Sequence, residues 1–271
     1  MRTRSLPVLA ISIALFSDLA AFGAEAPPNA MSPQQEAVRG IKSPAKVLRV
    51  GPGKEFVAPS IAAEFARDGD IIEMDSTTYD ADAAIWRANN LTIRTLGNRA
   101  HIRANGAHAE SKGIWVIKGN NTTIENIELS GAKVADRNGA GIRLEGAGLT
   151  LRRCYFHHNE NGILTGVNAA SDVVIENSEF AYNGAGDGQT HNIYIGAVRS
   201  FTLRYSYSHH AIVGHNVKSR ATRNYVLYNR IMDEQDGNSS YLIDLPNGGL
   251  SYIIGNLIQQ GPHAENSTLI S

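Results

Sequence analysis

Cysteine is almost absent from this chain, since Cys154 is the only one in 271 residues. Its scarcity excludes an intrachain disulfide framework and any zinc site built on several cysteines. Cys154 lies in an apolar run, so we predict that it is buried as a small apolar group and is not a nucleophile.

An excess of charge of one sign is also missing, because 25 basic residues balance 26 acidic ones. The lysines and arginines are scattered, so no basic surface for nucleic acid or an anionic membrane is predicted. No apolar run reaches the roughly 20 residues that span a bilayer. We therefore expect neither a nucleic-acid partner nor membrane insertion.

The N-terminus has the layout of an export signal. Two arginines precede an apolar stretch from Leu6 to Phe16, and Ala24-Glu25-Ala26 has small residues at the positions of a cleavage site. We predict a signal peptide over residues 1–26 and a secreted or periplasmic protein. Residues 27–46 are polar and lack periodicity, which predicts a flexible lead-in.

What the chain does contain is a recurring pattern of short apolar strands separated by turn residues. One series begins at intervals of 21 to 30 residues, at Ile114, Ile142, Ile163, Ile193, Val217 and Leu242. A second series follows the first, and in it an Asn recurs two places after an aliphatic residue, at Asn126, Asn177, Asn229 and Asn256. Such periods indicate a solenoid. Each Asn is expected to occupy a sharp bend and to bond to the equivalent amide of the next coil.

Both ends of the repeats carry further signals. Ser60 to Arg67 has a capping residue followed by apolar residues at helical spacing, which predicts a short helix that covers the first strands. Thr268 to Ser271 has the pattern of another strand opening. We therefore expect the repeat region to be incomplete at the C-terminus.

Together these features resemble the right-handed parallel β-helix of the pectate-lyase-like superfamily, over Val47 to Ser271. The resemblance implies an all-β fold, a single-stranded solenoid over residues 47–271 with a short N-terminal capping helix. It implies activity less specifically, because the superfamily includes polysaccharide lyases, hydrolases, epimerases, phage tailspikes and adhesins.

The candidate site is predicted at a repeated phrase, His-Asn-aliphatic, which occurs at His191-Asn192 and again at His215-Asn216. If the aliphatic residues point into the coil, alternation along the strands turns the intervening side chains outward. That outward set is Asn192, Tyr194, Asn216, Lys218 and Arg220.

Neighbouring coils are predicted to add Trp115, Arg143 and Asp244 to the same face. Adjacent coils are about 4.8 Å apart, so Tyr194, Lys218 and Asp244 would form a row about 10 Å long. Trp115 and Tyr194 offer flat faces for stacking on sugars, and the cationic side chains can pair with carboxylates. We therefore predict a monomeric protein with an acidic polysaccharide as its partner.

Such a face contains candidate parts for β-elimination at a uronic acid, which needs a base, an acid and a cation at the carboxylate. Lys218 is the predicted base, because the nearby arginines disfavour its charged form. Arg220 would neutralise the carboxylate, assisted by Asn216. The candidate acids are His215, His191 and Tyr194. This use of Lys and Arg resembles that of alginate-lyase-like and chondroitinase-like β-helix enzymes.

Other interpretations remain open. The Lys-x-Arg pattern is also typical of a solvated surface, His191 and His215 also fit a structural stack, and Trp115 also fits a packing role. A non-catalytic carbohydrate-binding protein would use the same face without turnover. A hydrolase with paired carboxylates is less favoured because no adjacent Asp-Asp pair is present, and an epimerase because no Asp-Pro-His is present.

Metal signals are weak. Calcium prefers clustered oxygen ligands, and the acidic residues nearest the predicted face form no recognisable loop motif, namely Asp187, Asp233, Glu234, Asp236 and Asp244. We predict no firmly bound cofactor, leaving Ca²⁺ open. The pairs His157-His158 and His209-His210 are predicted to be structural or surface residues. We expect no zinc there, because adjacent residues on a strand point to opposite sides.

Overall fold

The computed structural model describes residues 44–271, so the predicted signal peptide and residues 27–43 of the lead-in lie outside the described residues. This part of the chain forms helix α1 (Pro59–Phe65) and 24 short strands. The strands are β1 (Val47–Val50), β2 (Ile71–Met74), β3 (Thr78–Asp80), β4 (Ala84–Trp86), β5 (Thr92–Thr95), β6 (Ala100–Arg103), β7 (Gly113–Ile117), β8 (Thr122–Glu125), β9 (Ile127–Ser130), β10 (Ala140–Leu144), β11 (Leu149–Arg152), β12 (Tyr155–His157), β13 (Asn161–Thr165), β14 (Asn168–Glu176), β15 (Glu179–Ala181), β16 (Ile193–Ile195), β17 (Val198–Arg204), β18 (Tyr207–His209), β19 (Val217–Ser219), β20 (Arg223–Leu227), β21 (Arg230–Met232), β22 (Ile243–Asp244), β23 (Leu250–Ile254) and β24 (Leu257–Gln259).

The strands stack into three parallel sheets, and from β2 onward successive strands enter the three sheets in turn. Sheet I contains β1, β2, β5, β8, β11, β14, β17, β20 and β23. Sheet II contains β3, β6, β9, β12, β15, β18, β21 and β24, and sheet III contains β4, β7, β10, β13, β16, β19 and β22. Each strand therefore pairs with the equivalent strand of the next coil, as the predicted parallel β-helix requires.

The interior is filled by the inward side of each strand. Residues alternate between buried and partly buried along β2, β5 and β11, because successive side chains point to opposite faces of a sheet. Equivalent residues stack from coil to coil, and the rings of Phe156 and Phe180 lie 4.8 Å apart and nearly parallel. Cys154 is fully buried in this interior, where burial raises the pKa of its thiol to about 11. A protonated, inaccessible thiol is a poor nucleophile.

The four asparagines of the predicted ladder lie at the turn from sheet I to sheet II, where they occupy two different positions. Asn126 and Asn177 adopt left-handed backbone, with φ of 61° and 49°. Asn229 and Asn256 stand one position later and stack, since the Asn229 amide N–H and side-chain Nδ2 both donate to Asn256 Oδ1 at 2.8 and 2.9 Å. The ladder continues through Ser206, whose amide donates to Asn229 Oδ1. A serine and two asparagines thus belong to one ladder.

The predicted helix is present but is capped from outside. Its N-cap residue is Ala58, not Ser60, and no side chain of the cap residue accepts a hydrogen bond. Asp82 supplies that acceptor, at 3.2 Å from the Ser60 amide. The helix contacts β1 and β4, the first strands of sheets I and III, so it lies against the first coil.

At the far end of the described chain, Ile270 forms a parallel bridge with Ile243. The predicted strand-like segment Thr268 to Ser271 therefore begins to extend sheet III. Within residues 44–271, no helix has the length and apolar character needed to cross a membrane.

Candidate active site

Three predicted site residues form a row on the outer face of sheet III. Tyr194 on β16 pairs with Lys218 on β19, and Lys218 pairs with Asp244 on β22. The predicted row is therefore present. It depends on Ile243, not Leu242, standing opposite Val217.

Asp244 is bound from two sides. Its Oδ2 lies 3.1 Å from Lys218 Nζ and 3.3 Å from His215 Nε2. The side chains of Asp244 and Lys218 are only 8% and 16% exposed, so the ion pair is weakly screened by water. The side-chain nitrogen of Lys218 is therefore already held by this carboxylate, which opposes the base role that the sequence suggested. To act as a base, Lys218 would first have to separate from Asp244. The base role of Lys218 therefore stays a prediction.

His191 and His215 stack with ring centres 4.6 Å apart and nearly parallel. The His215 amide donates to His191 Nδ1 at 3.0 Å, and the Tyr241 amide donates to His215 Nδ1 at 3.2 Å. With both Nδ1 atoms accepting, each neutral ring carries its proton on Nε2. The Nε2 side of His215 thus faces Asp244 Oδ2 at 3.3 Å.

Electrostatics keep these two rings neutral. Burial, aided by the neighbouring His215, lowers the pKa of His191 to about 2. Burial and the Lys218 charge lower the pKa of His215 to about 4, against the opposing effect of Asp244. Neither ring therefore offers a free basic nitrogen at neutral pH. The geometry gives His215 a positioning role toward Asp244, with His191 supporting it.

Arg220 connects two coils. It follows β19, and its Nε donates to Tyr194 Oη at 3.1 Å while its Nη1 donates to Asn247 Oδ1 at 2.6 Å. Because Arg220 already donates to the phenolic oxygen, the O–H proton of Tyr194 remains available to another acceptor. Lys218 Nζ lies 5.6 Å from the centre of the Tyr194 ring, within cation–π range. Sequence reasoning missed Asn247, whose only signal is its place before the turn glycines 248–249.

The prediction that Asn192 and Asn216 face outward is wrong. Both are completely buried, and Asn192 Nδ2 donates to Asn216 Oδ1 and to the His209 carbonyl, each at 2.8 Å. They precede β16 and β19, so strand alternation does not apply to them. They cannot contact a polysaccharide.

These two residues belong to a buried amide ladder at the turn between sheets II and III. The ladder runs through Asn159, Asn183, Asn192, Asn216 and Asp233. Its last member is a fully buried carboxylate, which accepts from Asn216 Nδ2 and from the Gly261 amide. A buried network in which every polar group has a hydrogen-bond partner holds a turn in one geometry. The ladder therefore fixes the turns that lead into the strands carrying Tyr194 and Lys218.

Trp115 is also misplaced by the sequence prediction. It is completely buried and stands opposite Ile142, so the predicted equivalence of Ile114 with Ile142 is wrong by one residue. Its ring packs edge-on against Trp86, with centres 5.5 Å apart. Trp115 is a core residue and offers no platform for a sugar.

Arg143 does belong to the outward row, but at a distance. It pairs with Leu164, and Leu164 pairs with Tyr194, so Arg143 stands two strands from Tyr194. Two strand spacings amount to roughly 10 Å. Arg143 is half-buried and lies on the same row, but it does not adjoin Tyr194.

The outer face of sheet II carries a second group of polar side chains. His101 on β6, Glu128 on β9 and His157 on β12, here termed the His–Glu–His cluster, place one ligand atom each within 4.8 Å of one another. Among the described residues this is the one His/Cys/Asp/Glu group with metal-ligand spacing.

The premise that adjacent histidines diverge does not hold here. His158 and His210 both have left-handed backbone, with φ of 55° and 50°, which breaks strand alternation. The Nδ1 atoms of His157 and His158 therefore approach to 2.8 Å, and those of His209 and His210 to 2.5 Å.

The acidic residues considered for calcium are dispersed, and each contacts a different protein group. Asp187 is near Arg137, Asp233 binds Asn216, Glu234 binds Tyr207 and Arg230, Asp236 binds His210, and Asp244 binds Lys218. Within residues 44–271 they form no shared oxygen cage.

Comparison with known proteins shows the family to which this chain belongs. The model of the family described as "Right handed beta helix region" matches residues 65–259. Among solved structures, the chain is similar to a pectin methylesterase variant in complex with a hexasaccharide, with 11% identity, a TM-score of 0.45, and coverage of 85% of this chain and 93% of that one. It is also similar to pectin methylesterase PemA from Erwinia chrysanthemi, with 10% identity, a TM-score of 0.44 and the same coverage. No curated protein matches the chain. Because the family model covers well over half of its length, the chain belongs to the right-handed β-helix family.

Proposed function

We propose that this protein binds a uronic-acid-containing polysaccharide on the outer face of sheet III and cleaves it by β-elimination. One observation carries the proposal: the Tyr194–Arg220 hydrogen bond lies beside the Lys218–Asp244 ion pair. A phenol, a guanidinium and an ammonium group from adjacent coils therefore share one face. The predicted export signal supports a location outside the cytoplasm, where such polymers occur.

In β-elimination the C5 proton leaves, the C4–O4 bond breaks, a C4–C5 double bond forms, and O4 takes up a proton. Arg220 and Lys218 neutralise the uronate carboxylate, which stabilises the negative charge that develops next to C5. Tyr194 gives its phenolic proton to O4 as the C4–O4 bond breaks, and the same oxygen takes up the proton from C5, which regenerates the phenol. Arg220 stabilises negative charge on the Tyr194 oxygen during this transfer.

The buried groups position this machinery. His215 Nε2 lies 3.3 Å from Asp244, and Asp244 holds the side-chain nitrogen of Lys218 next to the Tyr194 ring. Holding these side chains before the substrate arrives lowers the cost of ordering them in the complex.

A carbohydrate-binding protein without turnover is the second candidate. It is favoured by the fact that Lys218 and Arg220 both have protein partners, Asp244 for the first and Tyr194 with Asn247 for the second. A face that only holds carboxylates would have the same composition.

The test is to incubate the protein with pectate, alginate, glycosaminoglycans and bacterial exopolysaccharides, and to follow the ultraviolet absorbance of the unsaturated product. Tyr194→Phe is expected to lower the rate at least about 100-fold, the usual contribution of a positioned acid–base group, while polymer binding persists. Tyr252→Phe, an exposed tyrosine on sheet I, is the matched control and keeps full activity.

Full activity in Tyr194→Phe would remove Tyr194 from the mechanism. Lys218→Ala tests the sequence-based assignment: weaker binding with turnover retained assigns it to carboxylate binding and excludes it as the base. The carbohydrate-binding alternative would be established if the wild-type protein bound a polymer without forming product from any of them, and if Arg220→Ala abolished that binding.

A further inference from the structure

The His–Glu–His cluster lies on a different sheet from the proposed active site and has no part in the reaction. Its members come from three consecutive strands of sheet II, and His101 stands directly opposite Glu128 in the β6–β9 pairing. His157 is two residues beyond Tyr155, the partner of Glu128, so it projects from the same outer face. The backbone ladder therefore fixes the spacing of all three side chains.

The two distances from the Glu128 carboxylate to the imidazoles are close to those in a metal coordination sphere. Glu128 Oε1 lies 3.5 Å from His101 Nδ1 and 3.0 Å from His157 Nε2. A tetrahedral zinc ion with bonds of about 2.0 to 2.2 Å needs ligand atoms about 3.3 Å apart. The side chains are 24%, 24% and 16% exposed, so an ion and its water can enter from solvent.

The second nitrogen of each imidazole also has a partner. His101 Nε2 lies 2.7 Å from Ser130 Oγ, and His157 Nδ1 lies 2.8 Å from His158 Nδ1. Metal-bound histidines typically donate their other N–H to such an outer acceptor, which fixes the tautomer and the ring orientation. Ser130 and His158 can accept in this way, leaving His101 Nδ1 and His157 Nε2 free to face the ion.

We propose that His101, Glu128 and His157 bind a divalent transition-metal ion of the Zn²⁺ class, with water completing the coordination. Two imidazoles and one carboxylate form a ligand set that suits such ions. The bound ion would join three consecutive coils of sheet II.

The chain contains its own control for this site. His209 repeats the geometry of His157, since its Nε2 lies 3.3 Å from Glu179 Oε1 and its Nδ1 contacts His210. The place of the first histidine is taken by Tyr155, which stands opposite Glu179 as His101 stands opposite Glu128. This second copy offers one imidazole and one carboxylate, so it should bind the ion much more weakly.

The experiment is isothermal titration calorimetry with Zn²⁺ on full-length protein made without a polyhistidine tag and freed of metal by a chelator. We expect one ion per chain and a rise in the melting temperature with zinc concentration, because the ion binds the folded state. His101→Ala, Glu128→Gln and His157→Ala should each weaken binding at least about tenfold. His209→Ala should leave the affinity unchanged.

A gain-of-site variant sharpens the test. Tyr155→His supplies the missing imidazole to the second copy, so the stoichiometry should rise from one ion to two. An unchanged stoichiometry would contradict the claim that two imidazoles and one carboxylate in this geometry suffice to bind the ion. The absence of zinc binding by the wild-type chain, or an equal loss in His209→Ala, would overturn the site itself.

A measurement on the unmutated protein tests metal binding without the risk that a substitution disturbs folding. Co²⁺ bound by nitrogen and oxygen ligands absorbs visible light, and Zn²⁺ should displace it and abolish the absorption. A cobalt spectrum typical of octahedral coordination by water alone would overturn the proposal. None of these readouts uses a polysaccharide, so the result is independent of the proposed lyase activity.

Discussion

Two groups of histidines in this protein contrast in what their nitrogens contact. The buried histidine pair, His191 and His215, uses both Nδ1 atoms to accept backbone N–H groups. In the His–Glu–His cluster, a nitrogen of His101 and one of His157 face the same carboxylate oxygen of Glu128. The first pair is nearly inaccessible, whereas the second group is partly exposed.

The difference shows that the backbone decides what a histidine can do. Where a turn directs amide N–H groups at the ring, the imidazole becomes a structural acceptor and its basicity is suppressed by burial. Where the ring projects from the outer face of a strand, both nitrogens remain available to side chains or to an ion. Each of the following predictions tests this contrast, in order of decreasing expected effect.

The largest effect is expected from truncating the buried pair. His191→Ala removes a stacked ring and leaves the His215 amide without its acceptor, so the unfolding free energy should fall by about 3 to 5 kcal/mol. His157→Ala in metal-free protein should cost about 1 kcal/mol or less. Urea denaturation followed by circular dichroism measures both. Equal losses would show that the two regions do not differ in the way described.

The next effect is a loss of stability in acid. The pKa values of His191 and His215 are about 2 and about 4 in the folded protein, but about 6.5 in the unfolded chain. Between these values the unfolded state binds more protons, so stability is complete above about pH 6.5 and falls as the pH drops toward the folded values. From pH 7 to pH 5, each histidine should contribute a loss of about 1.5 to 2 kcal/mol.

The check is urea denaturation at both pH values in the wild type and in His215→Gln. Glutamine does not titrate, so the variant should lack one histidine's share of the pH dependence. If the variant lost as much unfolding free energy between pH 7 and pH 5 as the wild type, the pKa of His215 would not be lowered in the folded protein.

The smallest effect is expected at an exposed histidine partner. Asp236 contacts His210 Nε2 at 2.9 Å, but its side chain is 80% exposed. Surface ion pairs contribute little, so Asp236→Ala should change the unfolding free energy by less than about 0.5 kcal/mol. Thermal melting at pH 7 measures it. A shift as large as that of His191→Ala would contradict the division into buried and exposed groups.

The strand pattern was predictable because it depends on local chemistry. Alternating apolar residues and left-handed bends at Asn126 and Asn177 identify strands and sharp turns without knowledge of any neighbour. The outward placement of Tyr194 and Lys218 followed from the same alternation. In each case the inference concerned a residue within a strand or at a single-residue bend.

The errors occurred where a residue's orientation depends on a neighbouring coil or lies outside a strand. Trp115 was shifted by one residue because coils of unequal length hide the pairing register. Asn192 and Asn216 were turned outward because alternation was extended into a bend before the strands. Adjacent histidines were expected to point to opposite sides, and this premise failed because the left-handed backbone of His158 and His210 was not visible in the alternation pattern.

The sequence by itself determined the winding: a parallel β-helix of the right-handed family, its capping helix, and the outward placement of Tyr194 and Lys218. Only the tertiary structure decided which nitrogens of each histidine are free, that Lys218 is paired with Asp244, and that His101, Glu128 and His157 converge. The physical reason is range. Strands and bends arise from interactions between residues close in the chain, whereas pairings between coils join residues more than 20 positions apart and depend on register.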